Sequence, residues 1–318
     1  MVRDDRSSLI LTAFLISVLS VGCGCAKNVS PSGLELQKEA SVFTEIEDHV
    51  FKNRSVVETS LVNVDGNLIA FYDHEWTGKM FRVPLQSTYF ETVSPHLVID
   101  SARFPYTINQ GGTLFNFASV DGNVYLWKSF DLGLTWTKIN GGRPVLTRSD
   151  DRTSIYHHLW NVAVDIADDG TWHLLVESSD STPDQREVGL AYSYARLVDD
   201  EISFDENRSE GHVVKGGGNP WIKHIPGVGL LAVHGQVYSP FKGFGSEWYI
   251  TASTIALGET TWTTHKDKFI IGTKGVHVCD PHLVEQDGAL LLTLSFGQGS
   301  TLLLSAPTTA AGLYQSLR

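Results

Sequence analysis

The sequence predicts an all-β fold, a five-bladed β-propeller, on three observations. A short motif recurs five times: an approach residue, a run of about seven residues, a turn ending in Gly, then an apolar strand. The copies lie roughly 45 to 60 residues apart, the spacing of blade-sized units. Each is followed by further short apolar or alternating runs of strand length. The copies are Glu58 to Asp73 (ETSLVNVDGNLIAFYD), Phe104 to Ser119 (FPYTINQGGTLFNFAS), Asn161 to Glu177 (NVAVDIADDGTWHLLVE), Asn219 to His234 (NPWIKHIPGVGLLAVH) and Asp280 to Ser295 (DPHLVEQDGALLLTLS).

Each copy opens one blade. In blade one the turn at Asp65-Gly66 leads to strands at Leu68 to Tyr72 and Met80 to Leu85, and Tyr89 to Val93 is the candidate fourth strand. Blade two reads as Leu114 to Ala118, Asn123 to Lys128 and Trp136 to Ile139. Blade three reads as Trp172 to Val176, Val188 to Tyr194 and Ile202 to Phe204, and blade four as Leu230 to Val233, Trp248 to Thr254 and Thr261 to Thr264. Blade five has Leu290 to Leu294 and Thr301 to Leu304 and then runs out of chain. Its outer strand is assigned to Val42 to Phe51, because such a closure removes the open sheet edge between first and last blades. The intervals leave no room for a second domain, so residues 41 to 318 form the propeller.

Residues 1 to 22 read as a targeting segment. Arg3 and Arg6 precede an apolar run, Leu9 to Val21, that is too short for a stable membrane span. The run ends in Ser20-Val21-Gly22-Cys23, which resembles a bacterial lipoprotein signal with Cys23 as the lipidated anchor; an ordinary cleaved signal peptide is the other reading. Either makes the mature chain extracytoplasmic, with residues 23 to 40 as a flexible tether and membrane attachment only through Cys23. Cys25 and Cys279 complete a total of 3 cysteines, too few for a disulfide framework. The formal net charge of −12 with scattered Lys and Arg argues against nucleic acid as a partner.

Propeller geometry turns the repeats into two rings of pocket candidates. The first is Glu58, Phe104 with Arg103 just before it, Asn161, Asn219 and Asp280. The second, seven residues beyond each turn Gly, is Asp73, Ser119, Glu177, His234 and Ser295. A separate loop, Ser129-Phe130-Asp131-Leu132-Gly133-Leu134-Thr135-Trp136, matches the Asp-box of sialidases and other propellers. Its mechanics are those of a turn: Ser129 and Asp131 bond local backbone, Gly133 takes a strained conformation and Trp136 packs the blade.

The arrangement resembles the five-bladed glycoside hydrolases, a broad group that includes families 43, 32 and 117. In that group Asp-Pro motifs at blade starts aim carboxylates into an axial pocket, and Asp280-Pro281-His282 is similar to one of them. Asn219-Pro220 stands where family 43 presents a Glu, Glu58-Thr59 replaces the first-blade Asp-Pro, and Asn161-Val162 replaces the third-blade Asp. The resemblance implies hydrolysis of an oligo- or polysaccharide. Such cleavage needs two flanking carboxyl groups, one to protonate the leaving oxygen and one to activate water or attack carbon.

Glu58, Glu177 and Asp280 are therefore the catalytic candidates, Asp280 or Glu58 as base and Glu177 as acid. Asp73, Arg103, His158, Trp160, Asn161, Asn219, His234 and His282 are the substrate-binding candidates, Trp160 by stacking on a sugar face. Two other functions remain open: a non-catalytic propeller that binds glycan or protein, and a sialidase, which the resemblance ties to several Asp-boxes and an arginine triad. No cofactor and no metal site is assigned. His277-x-Cys279-x-x-His282 has ligand-type residues, but strand alternation sends them to both faces; a single structural cation in the channel is compatible with the resemblance.

Overall fold

The computed structural model describes residues 43–47, 56–74, 77–85, 96–182, 187–237, 248–272, 277–296 and 300–318. The targeting segment, Cys23 and the tether lie outside these residues, as does Tyr89 to Val93. Five antiparallel sheets succeed one another along the chain, and their inner strands meet around one axis. From the axis outward, blade one is Val56–Val64, Asn67–His74, Lys79–Leu85 and His96–Asp100. Blade two is Arg103–Gln110, Thr113–Val120, Asn123–Ser129 and Thr137–Lys138. Blade three is His158–Ile166, Thr171–Ser179, Val188–Arg196 and Val214–Lys215. Blade four is Gly217–Ile225, Gly229–Val237, Trp248–Ala256 and Thr263–Thr264, with Ile270–Ile271 also on its third strand. Blade five is Val278–Gln286, Ala289–Phe296 and Ser300–Ala306, and Thr44–Glu47 completes it on the outside.

The N-terminal strand thus closes the ring as the sequence suggests, and Phe43 beside it is fully buried edge-to-face on Phe269. Two outer strands differ from expectation. The fourth strand of blade one is His96–Asp100. In blade three Ile202 to Phe204 is not the outer strand, because its backbone bonds go to blade two: Ile202 N–H donates to Asn140 Oδ1 and Phe204 N–H to the Val145 carbonyl. A further element, the helix Ala310–Leu317, follows the last strand. Thr309 caps it by accepting from Gly312 N–H, and Ala310, Leu313, Tyr314 and Leu317 bury one face against the main core. Among the described residues no helix is long and apolar enough to cross a membrane.

Every inner strand is interrupted near its start by a β-bulge, in the intervals Val57/Ser60, Arg103/Tyr106, Leu159/Val162, Gly218/Trp221 and Cys279/His282. In four of the five a non-glycine residue adopts a left-handed backbone: Glu58 (φ 53°), Phe104 (58°), Asn219 (46°) and Asp280 (53°). Such a conformation costs about 1–3 kcal/mol per residue and survives only where surrounding structure imposes it. These are approach residues of the sequence repeat, so the repeat marks strained backbone that re-aims side chains toward the axis.

The Ser129–Trp136 loop behaves as the turn its composition implies. Asp131 Oδ1 accepts from Leu134 N–H and Thr135 N–H, Thr135 Oγ1 donates to Asp131 Oδ2, and Ser129 Oγ accepts from Gly133 N–H. These donors hold the Asp131 carboxyl down to about 2, the Thr135 hydroxyl contributing most. Trp136 packs edge-to-face on Phe71 of blade one, so the loop ties two blades together. Gly133 sits at φ 79°, where a Cβ would lie 2.5 Å from the Phe71 ring. Gly66, at φ 82°, has nothing within 4 Å of that position. Gly133→Ala should therefore cost both backbone strain and overpacking, about 2–5 kcal/mol, whereas Gly66→Ala should cost only the strain, about 1–2 kcal/mol. Urea unfolding midpoints of the two variants measure the difference, and equal losses would remove the Phe71 contact as a structural constraint.

Candidate functional site

The five bulges converge on a small axial cavity of about 20 Å³, room for one water-sized sphere. Its wall is supplied by the bulges and the residues after them: Glu58-Thr59, Phe104-Pro105-Tyr106, Asn161-Val162, Asn219-Pro220 and Asp280-Pro281-His282. All five members of the first ring are thus brought together. Blade two contributes no polar group at its ring position, since Phe104 occupies it.

Asn219 organises the polar part of this wall. Its side-chain Nδ2 donates to Asp280 Oδ1 in a short contact and to Glu58 Oε1 at 3.5 Å, while its backbone N–H donates to Glu177 Oε2 at 3.0 Å. Glu177 Oε2 also accepts from Asn161 Nδ2 at 2.9 Å. One chain of hydrogen bonds therefore links blades three, four, five and one, with two neutral amides between three carboxyl groups. Cys279 Sγ donates to Asp280 Oδ2 at 3.3 Å, so donors reach both Asp280 oxygens. Glu177 lies one layer behind the wall, where Gly218 makes room for it: a Cβ there would fall 2.9 Å from Glu177 Cδ and 2.7 Å from the Trp248 ring.

The floor is made by two rings that sequence reasoning left out or read differently. Tyr106 reaches from blade two to blades four and five, bonded to the Ile222 backbone and packed 4.9 Å from the His282 ring. His282 Nδ1 accepts from Leu61 N–H, which leaves the ring proton on Nε2, 3.1 Å from Ser60 Oγ. Ser60 Oγ in turn accepts from Thr107 N–H, so His282 ties blade five to blades one and two. Burial pushes its pKa down to about 3. Tyr106 carries no motif; only its place two residues beyond Phe104 distinguishes it.

The second ring does not form, and hairpin length is the reason. In blades one, two and five the first hairpin has two loop residues, closing at Val64/Asn67, Gln110/Thr113 and Gln286/Ala289. Blades three and four insert one more, with Ala167 N–H bonding the Thr171 carbonyl and Ile225 opposing Gly229. Because strand side chains alternate, one residue flips the face. Glu177 and His234 consequently lie opposite their own bulges, where blade one has Tyr72, whereas Asp73 pairs with Val57 and Ser119 with Arg103.

Five of the predicted binding residues take other positions. His234 is fully buried inside blade four, its Nδ1 2.8 Å from the Gly235 carbonyl and its Nε2 2.8 Å from Ser253 Oγ, and burial lowers its pKa to about 4. Asp73 is also fully buried and accepts from Gly78 N–H, holding the loop before the third strand. Burial raises its carboxyl to about 6 despite that bond and the Arg103 charge. Arg103 is exposed beside Gly78. His158 and Trp160 stack on each other at 5.6 Å, with His158 Nε2 2.7 Å from Ser181 Oγ; His158 takes no place in the cavity wall. Among the described residues, no group of three His, Cys, Asp or Glu could hold a metal ion.

The buried neutral histidines set the acid limit of the fold. His234 and His282 bind protons near 6.5 when unfolded but only near 4 and 3 when folded, so stability is full above pH 6.5 and falls as pH drops below it. Asp73 acts oppositely, gaining stability as pH falls from about 6 toward the unfolded carboxyl value. His173 is likewise lowered to about 4, and burial also lowers His212 and His265 while raising Asp165 as it raises Asp73. The depressed histidines outnumber the raised carboxyls, so stability should fall as pH drops from 6 to 4, each depressed histidine contributing up to about 1.4 kcal/mol per pH unit. Urea midpoints across this range should show that fall, and His234→Gln should reduce its slope; an unchanged slope would exclude His234 as a contributor.

No family model matches the chain, and no curated protein matches it by sequence. By structure it is similar to a thermostable family-43 glycoside hydrolase at 10% identity, with a TM-score of 0.57 over 80% of this chain and 89% of that one. It is similar to the catalytic domain of the Coprinopsis cinerea GH62 alpha-L-arabinofuranosidase at 14% identity and TM-score 0.57, over 81% and 94% of the two chains. A GH62 hydrolase in complex with xylotriose matches at 12% identity and TM-score 0.56, over 80% and 92%. The chain has the five-bladed propeller fold found in these glycoside hydrolases.

Proposed function

We propose that the chain is an extracytoplasmic glycoside hydrolase that cleaves an oligo- or polysaccharide at the axial mouth, with Glu58 and Asp280 as its working carboxyl pair. The observation that carries this reading is the Asn219 side-chain amide, which holds one oxygen of each acid within its reach in the wall of the axial cavity. Two carboxyl groups beside one pocket are what glycosidic cleavage requires. Arabinose- and xylose-containing glycans are the first substrates to try, because solved structures of this fold include an arabinofuranosidase and a hydrolase bound to xylotriose.

Glu177, expected as the acid, takes a different part in this scheme. Its Oε2 accepts two N–H donors, one of them the Asn219 backbone, so it positions Asn219 rather than facing substrate. The lipid anchor at Cys23 belongs to the same proposal, as the device that keeps the enzyme at the cell envelope. A glycan-binding propeller without activity is the second reading, favoured by the amides at Asn161 and Asn219 and the apolar Phe104 on the ring.

Glu58→Gln and Asp280→Asn keep shape and remove the acid. Each should lower kcat on 4-nitrophenyl arabinofuranoside, xyloside or xylotriose by about 100-fold or more, with circular dichroism unchanged. Retention of full activity in both variants would end the assignment of the pair. Binding of xylo-oligosaccharides by a folded but inactive wild-type chain would favour the second reading.

A further inference from the structure

We infer that the propeller rests on a lipid bilayer through the face opposite the axial cavity. Phe130, Leu132 and Leu134 of blade two, Val198 of blade three and Leu257 of blade four enter the headgroup layer. This rests on the lipid-anchor part of the reading above and is independent of the hydrolase chemistry.

Strand direction fixes which residues share that face. Each inner strand starts at its bulge beside the cavity and runs away from it. In blades two, three and four the second strand returns and the third runs away again, since every pair is antiparallel. The turns after the third strands therefore lie on the far face. They hold Phe130, Leu132 and Leu134 after Asn123–Ser129, Val198 after Val188–Arg196 and Leu257 after Trp248–Ala256. These are five of the seven large apolar side chains exposed among the described residues, with Phe130 73%, Leu257 71% and Val198 62% exposed. Of the other two, Tyr194 stands two residues from the far end of the same blade-three strand, and Leu97 is on the outermost strand of blade one. Single exposed apolar residues need no explanation, but their concentration in matching turns of three successive blades marks an interaction face.

The chain enters the propeller on the same side. Thr44–Glu47 is antiparallel to the third strand of blade five, and Thr44 pairs with Ser305, one residue before that strand ends at Ala306. The sequence leading from Cys23 therefore joins the fold at the far face. An anchor attached there brings the apolar turns to the bilayer and leaves the axial mouth facing away from it.

The tip of blade two is held so that its apolar side chains stay exposed. Besides the bonds around Asp131, Arg82 Nε donates to the Leu132 carbonyl at 2.6 Å and pins the loop to blade one. Immersion is then what removes Phe130, Leu132 and Leu134 from water. Charges of both signs surround them, Arg82 and Lys128 against Asp131 and Asp200, and Lys128 Nζ lies 5.5 Å over the Phe130 ring. That mixture fits a zwitterionic headgroup layer, which carries both signs itself. Interfacial elements sink roughly 5–10 Å to the boundary of headgroups and acyl chains. The lipid on Cys23 supplies attachment, and the turns supply orientation.

The test uses the full lipidated chain carrying Cys25→Ser, reconstituted in phosphatidylcholine vesicles. A nitroxide is attached after Phe130→Cys or Leu257→Cys on the far face, or after Asp121→Cys in the turn between the second and third strands of blade two, on the cavity side. Cys279 is buried and takes no label. Relative to position 121, the labels at 130 and 257 should gain collisions with oxygen and lose collisions with a water-soluble nickel chelate. If either stays as open to the chelate as position 121, the inference is overturned, and lipid found on Cys23 by mass spectrometry leaves the anchor reading standing. Loss of collisions with both reagents would assign the face to a protein, a second copy of this chain included, and would overturn the inference as well. A chain that carries no lipid on Cys23 would overturn the anchor reading and this inference with it.

Discussion

The bulge near the start of each inner strand is the constraint on which the axial site depends. In a regular strand, side chains alternate between the two faces of the sheet, and both faces here are committed to packing between blades. An extra residue breaks the alternation and turns a side chain toward the axis. Repeating the device in five blades brings residues far apart in sequence, from Glu58 to Asp280, to one cavity. The prolines fit the same geometry. Pro105, Pro220 and Pro281 stand in bulges, where the ladder hydrogen bond that proline cannot donate is already lost.

This explains what was legible in the sequence. The first ring could be read because Asn219-Pro220 and Asp280-Pro281 announce bulges, and the turn glycines fix how far each inner strand runs. The second ring was misjudged because a separation counted from the turn glycine assumes equal hairpins. One additional residue in the Asp168-Asp169-Gly170 and Pro226-Gly227-Val228 turns moves Glu177 and His234 to the opposite face from Asp73. Outer elements were hidden for another reason. Ile202 to Phe204 has the composition of a strand, yet tertiary bonds to Asn140 and Val145 capture it. The helix Ala310–Leu317 is shorter than an isolated helix can sustain and forms because its apolar face packs on the core.

Amides in place of acids at 161 and 219 look at first like the loss of a catalytic ring. The energetics of the cavity suggest otherwise. Two carboxylates whose oxygens are no more than about 6 Å apart repel by at least about 3 kcal/mol at an effective dielectric constant of about 20. A third acid at position 219 would add two more such terms, and no Lys or Arg stands among the described residues of the wall to offset them. An Asn there instead donates to both acids, and each hydrogen bond to a charged group contributes about 1.5–3 kcal/mol. The neutral residue is therefore what lets the pair sit so close. Because its amide has two N–H groups and both are engaged, Asn219 also fixes their separation, which a flexible or charged side chain at the same bulge would leave to the substrate.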